Sequence, residues 1–184
     1  MKAKEEKQVD PVVLYSRDVR RDSEAITKFG KPVEDLVERM NASMLFYNGI
    51  GLAACQINVF ERVFIAELKG KIEVFVNPYF TIFSSEKQKN MEGCLSLPGG
   101  LTAHGKPVPI EASVERHKAV KIRFQDVTGE WHDAEYEGFE AAIVQHEYDH
   151  LNGMFFIDRL SPLKRQMVLN RFNKFVHRSL KREA

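Results

Sequence analysis

Two histidines four residues apart bracket a glutamate in His146-Glu147-Tyr148-Asp149-His150. On a helix, residues at that spacing lie one above the other, so both imidazoles can converge on one ion. Glu147 stands beside them, placed to take a proton from a water held there. The alternative is two exposed histidines with a carboxylate between them. A hydrolytic metal site needs three protein ligands and one open position. The extended zinc-protease pattern has its glycine here, Gly153, but its third histidine would fall at Phe156. The third ligand therefore has to come from another segment, and a thiolate is the best candidate. Cys94 lies in Glu92-Gly93-Cys94-Leu95-Ser96-Leu97-Pro98-Gly99, whose glycines and proline suggest unusual backbone angles. Cys55, in an apolar run between Ala54 and Gln56, reads as a small packing residue. His104, His117, His132 and His177 sit in polar contexts and read as solvated.

The elements around these residues follow from periodicity. Val33, Leu36, Val37, Met40, Met44 and Tyr47 recur at helical spacing, with Pro32 at the entry and Gly49 as a left-handed stop. Runs at 62–68 and 72–80, joined by Lys69-Gly70-Lys71, predict a hairpin, with Pro78 at an edge or a bulge. A second hairpin is expected from 118–125 and 130–136. A helix over 139–151 closes at Asn152-Gly153, and Ser161-Pro162 opens a last helix to about Leu180. Long connections are expected at 81–93 and 99–113. Hairpins with separated helices indicate an α+β fold of mainly antiparallel sheets around a central helix that carries H-E-x-x-H, with a C-terminal helix. Residues 1–10 read as a loose arm, 11–160 as the catalytic domain, and 161–184 as a basic amphipathic helix packed on it.

Three segments in order carry a resemblance: Gly49-Ile50-Gly51-Leu52-Ala53-Ala54-Cys55-Gln56, Glu92-Gly93-Cys94-Leu95-Ser96 and Gln145-His146-Glu147-Tyr148-Asp149-His150. They are similar to the three signature motifs of the peptide deformylase family. Asn77-Pro78 and Leu160-Ser161-Pro162-Leu163-Lys164-Arg165 extend the likeness, which covers the chain from about Val33 to its end. The resemblance implies removal of the formyl group from N-formyl-methionine of newly made polypeptides, by attack of a metal-bound hydroxide. It implies Cys94, His146 and His150 as ligands of one divalent ion, Fe(II) in the cell, with Zn, Ni or Co able to replace it. Glu147 would be the general base and acid, while the Gln56 side chain and the Leu95 N–H would donate to the oxyanion. Ile50, Gly51, Gly93, Leu97, Ile143 and Arg116 would lie near the substrate, Arg116 matching a substrate-proximal arginine of the family. Two departures stand out. Ser16-Arg17-Asp18-Val19-Arg20 only weakly echoes the family's opening Pro-Asp-x-x-Leu-Arg element, and the stretch 99–113 is longer than the usual link. That stretch is expected to border the cleft.

Composition bounds the rest. The 184 residues are 43% hydrophobic and 29% charged, enough for one domain with a core, and a net charge of +1 argues against a chain that coats nucleic acid, so no DNA partner is expected. There is no apolar run of membrane-spanning length and no signal-peptide pattern, and the two cysteines make no disulfide framework, so a cytoplasmic location is expected. Residues 161–184 hold seven Lys or Arg against one Glu, while the remainder is net acidic. Val168, Leu169, Phe172, Phe175, Val176 and Leu180 share one helical face opposite Lys164, Arg171, Lys174, Arg178, Lys181 and Arg182. That helix either only packs on the domain or, as the resemblance implies, also contacts the ribosome transiently. A metal kept only as a structural staple is disfavoured by Glu147 and Gln56, and an endopeptidase by Phe156 and the cysteine ligand.

Overall fold

The computed structural model describes residues 8–183, with side chains through Lys181. Ten elements follow in order: α1 (Lys31–Phe46), β1 (Gly51–Ala53), β2 (Val63–Leu68), β3 (Lys71–Phe83), β4 (Lys87–Leu101), β5 (Pro107–His117), β6 (Ala119–Gln125), β7 (Trp131–Glu137), α2 (Gly138–His150) and α3 (Pro162–Glu183). Five strands form an antiparallel sheet in the order β1-β2-β3-β6-β7, and β4 pairs with β5 as a separate two-stranded sheet. The α+β architecture is as expected, and α2 is the helix that carries H-E-x-x-H.

Strand β2 explains the layering. Val63 and Ile65 point to one face, where Met40, Met44 and Leu36 of α1 cover them. Phe64, Ala66 and Leu68 point to the other, into a cluster with Phe75, Phe124, Ile143 and Val144. An antiparallel sheet covered on both faces needs such apolar alternation on both sides of its central strand. The two-stranded sheet closes over the far side of α2, and its inward residues Ile110 and Val114 meet Phe155, Phe156, Val168 and Phe172 in a third cluster.

Several boundaries differ from expectation. The stretches 81–93 and 99–113 are mostly the long strands β3, β4 and β5, broken at 84–86 and 102–106. Their mixed polarity reflects a sheet with one wet face, which reads as loop when its partner strand is unknown. Pro78 sits at a register shift between Val76 and Tyr79, the bulge that its missing N–H requires. Asn48 (φ 56°) takes the left-handed position after α1; Gly49 instead lets the backbone approach Leu95 and Met44. Of the expected N-terminal arm, residues 1–7 lie outside the described residues. Asp10 is held, its N–H donating to Ser43 Oγ and its carboxylate paired with Arg39 at 2.8 Å. In α3, Val168 and Phe172 are buried, whereas Leu180 is 62% exposed because the helix runs on past its packing partners. Among the described residues, no helix is long and apolar enough to cross a membrane.

Gly153 ends the α2 turn at φ +64°, with Arg20 backbone atoms at 3.0 Å from where a Cβ would sit. Gly105, at φ +77° in the hairpin turn, has open space instead. Gly153→Ala should therefore cost about 2 kcal/mol, and Gly105→Ala about 1 kcal/mol. Thermal melts check this: the first variant should lose about 4–8 °C, roughly twice the second.

Candidate active site

The donor atoms of Cys94, His146 and His150 all lie within 4.8 Å of one another, although they come from β4 and from α2. Cys94 Sγ is 3.4 Å from His150 Nε2. The imidazole planes stand at 85° to each other, 4.9 Å apart. Phenylalanines fix both rings: Phe155 meets His150 edge-on at 4.6 Å and Phe156 lies parallel to His146. The residue that replaces a third histidine thus serves as a wall for the first.

A chain of buried charges sets the orientation of His146. Its Nδ1–H donates to Glu92 Oε2 at 2.9 Å, which leaves Nε2 to face Cys94. Arg116 grips the Glu92 carboxylate with Nε (2.5 Å) and Nη2 (2.8 Å), and reaches Asp149 with Nη1 at 2.8 Å. Arg159 closes the other side of Asp149 through two bonds, 2.6 and 2.5 Å. Burial would raise the Glu92 pKa, but the bonds from His146 and Arg116 outweigh it and lower it to about 2. Asp149 is likewise held low against its burial by Arg159 and Arg116. Burial opposes a charge on His146, yet its bonds to Cys94 and Glu92 raise it to about 10; burial and the neighbouring His146 push His150 well below its usual value.

Gln56 sits on a 3-10 turn, Ala54–Ile57, directly after β1. The Ala53 N–H donates to its Oε1 at 2.9 Å, which turns its NH2 toward Cys94 Sγ (3.4 Å) and Ser96 Oγ (3.2 Å). The N-terminal segment laces this turn to β4: Val13 N–H donates to the Gln56 carbonyl and Tyr15 N–H to that of Ser96, both at 2.8 Å. The β4–β5 register breaks between Gly93 and Pro98, which leaves the backbone at Cys94 and Leu95 outside that ladder. Glu147 is buried, and its Oε2 has no hydrogen-bond partner among the described residues. Burial raises its pKa to about 7, against the pull of His146 and Arg116. Gly51 makes room for it, since a Cβ there would overlap Oε1, Cδ and Cγ of Glu147.

These groups open on a cavity of about 340 Å3. Ile50, Gly51, Gly93 and Ile143, expected near a substrate, all line it, as do Gln56, Leu95, His146 and Glu147. Leu97 and Arg116 do not. Past the register break Leu97 turns into the third core cluster with Cys94 and Ile110, and it is fully buried. Arg116 shares the inward face of β5 with Ile110 and Val114, so it points at the helix rather than the cavity. The roles of Glu92, Asp149, Arg159, Ser96 and the Phe155-Phe156 pair escaped sequence reasoning. Glu92 and Asp149 lie inside the quoted motifs, which is the one signal that pointed to them.

A cysteine sulfur and two imidazoles converging beside a buried carboxylate define a hydrolytic site with the donor set for one divalent ion. Residues 9–166 match the polypeptide deformylase family, and the chain belongs to it. It is 37% identical over 162 residues to a peptide deformylase of Thermotoga neapolitana, covering 88% of this chain and 89% of that protein. With a peptide deformylase of Afipia carboxidovorans it shares 40% over 168 residues, 89% and 92% of the two chains. Among solved structures, a peptide deformylase from Legionella pneumophila superposes with a TM-score of 0.83 at 30% identity, covering 94% of this chain and 98% of that one. A Plasmodium falciparum peptide deformylase in complex with an inhibitor gives 0.78 at 34%, covering 90% and 99%. The protein is a hydrolase of this family.

Replacing Glu92 with alanine should free the His146 ring and weaken Zn or Co binding about 10–100-fold, read by competition with a chromophoric chelator. Arg116→Met leaves two buried carboxylates without their shared cation and should cost about 3–5 kcal/mol in urea unfolding.

Proposed function

We propose that this protein removes the formyl group from N-formyl-methionine at the start of newly made polypeptides, releasing formate and a free amine. One observation carries the reading: a buried carboxylate and a fixed amide donor both face the Cys94–His146–His150 cluster. A metal kept only as a staple needs neither.

The residues fit one divalent ion, since three soft or borderline donors already converge and Glu92 fixes the tautomer of one of them. That ion would supply Lewis acidity and a more acidic water at neutral pH. Glu147, with its pKa near 7, can take a proton from the water and return it to the leaving amine. Gln56 Nε2, locked by the Ala53 N–H, and the Leu95 N–H would meet the negative charge that grows on the formyl oxygen. A fixed donor of this kind contributes about 3 kcal/mol to the transition state. Ile50 and Ile143 offer an apolar wall that suits the flexible methionine thioether, and Gly51 and Gly93 line the same cavity. Fe(II) is our assignment for the physiological ion, on the family resemblance, with Zn, Ni or Co as substitutes. The substrate class carries the cytoplasmic expectation with it. We assign residues 11–160 to the catalytic domain and, of 161–184, the helix Pro162–Glu183 to a segment packed on it through Val168 and Phe172, with residue 184 outside the described residues.

Formate release from formyl-Met-Ala-Ser tests the reaction. Glu147→Ala, purified without oxygen, should keep one metal per chain while turnover falls at least about 100-fold. Retained turnover would overturn the role of Glu147. Lys174, Arg178 and Lys181 are exposed along α3, and we propose that this face contacts ribosomal RNA. Co-sedimentation with ribosomes should weaken as salt rises; binding insensitive to salt, or none, would count against it.

A further inference from the structure

The alternation of β5 that buries Arg116 sends Pro109 and Glu111 to the opposite face, into the cavity wall. Glu111 stands opposite Gly93 in the β4–β5 register. A Cβ built on Gly93 would touch Glu111 Cγ at 3.4 Å and Pro109 Cβ at 2.9 Å, so the glutamate stem leans across Gly93, one residue from Cys94. Its side chain is exposed, and among the described residues nothing bonds or ion-pairs with it. The other carboxylates of the cavity wall are Glu92, held by Arg116 and His146, and the buried Glu147. Among the described residues, no lysine or arginine lines the cavity. Lys106, on the same hairpin, sits over the Phe46 ring at 5.0 Å. The mouth of the site therefore presents one unbalanced negative charge, where the sequence had suggested an arginine.

A formylated chain has no charge at its blocked N-terminus, so charge recognition has to act on side chains further along. We infer that Glu111 is a specificity-determining residue that favours formyl-methionyl chains with lysine or arginine at the second or third position and disfavours acidic ones. This rests on the deformylase reading above. An exposed pair of opposite charges is worth up to about 1 kcal/mol, which corresponds to a preference of about 3–5-fold at low salt. Salt screens such a pair, so the preference shrinks as ionic strength rises.

The test compares kcat/KM for formyl-Met-Lys-Ala and formyl-Met-Ala-Lys with their glutamate counterparts, in the wild type, Glu111→Gln and Glu111→Lys. At one position or both, the Lys-to-Glu ratio should be about 3–5 in the wild type, near 1 in Glu111→Gln and below 1 in Glu111→Lys. The same ranking is expected in dissociation constants measured with Glu147→Ala, where turnover does not intervene. A wild-type ratio of 1 at both positions, or a ratio unchanged in Glu111→Lys, overturns the assignment. Metal-loaded wild type that fails on formyl-Met-Ala-Ser overturns the deformylase reading and this inference together; turnover without charge bias overturns this inference alone.

Discussion

Arg159, Asp149, Arg116, Glu92 and His146 form a continuous row of alternating charges and hydrogen bonds from the exposed Arg159 into the interior, and the rest of the site depends on it. Burying an ion without a partner costs several kcal/mol, so each member of the row makes its neighbours tolerable. The row crosses from α2 through the two-stranded sheet to the segment before α3. It therefore fixes the distance between the element that carries the sulfur and the element that carries both imidazoles. A row of this kind adds little net stability compared with apolar packing. What it does supply is geometry, because a bidentate guanidinium permits few arrangements of the carboxylate it holds.

Around that row, the site divides its work by environment. Glu92 and Glu147 are both buried carboxylates close to His146, yet one is held ionised by Arg116 while the other keeps an oxygen unpartnered and titrates near neutrality. Two groups of one chemical type thus sit in two environments, one fit for orientation and the other for the proton transfer we propose, because one has a cation in contact and the other faces the cavity. Gln56 shows the same economy with backbone: one N–H, that of Ala53, decides which end of its amide reaches the cavity.

Much of this was legible in the sequence where local rules suffice. The spacing of His146 and His150 fixed their shared face, and Cys94 was singled out by the residues that flank it. The hairpins at Lys69-Gly70 and Asp126–Gly129 and the stop at Gly153 follow from turn chemistry. What could not be read were features decided by a partner strand. Long strands β4 and β5 resemble loops until paired, since only one of their faces is apolar. Parity was the harder loss: the register of β5 against β4 decides which of its residues face inward, and so Arg116 went to the core and Glu111 to the mouth. Leu97 was misplaced for a related reason, the break in register between Gly93 and Pro98.

The contacts that complete the site join distant parts of the chain: Gln56 to Cys94 across 38 positions, Cys94 to His150 across 56, and Arg20 to Asp158 across 138. Such a topology has high contact order, and its loop-closure entropy must be met before the contacts reward it. During synthesis the reaction centre cannot form on a polypeptide that ends before Phe156, because its last imidazole and the Phe155-Phe156 wall leave the translation machinery well after the segments that carry Gln56 and Cys94. The molecule becomes competent only when late segments have joined strands made long before them.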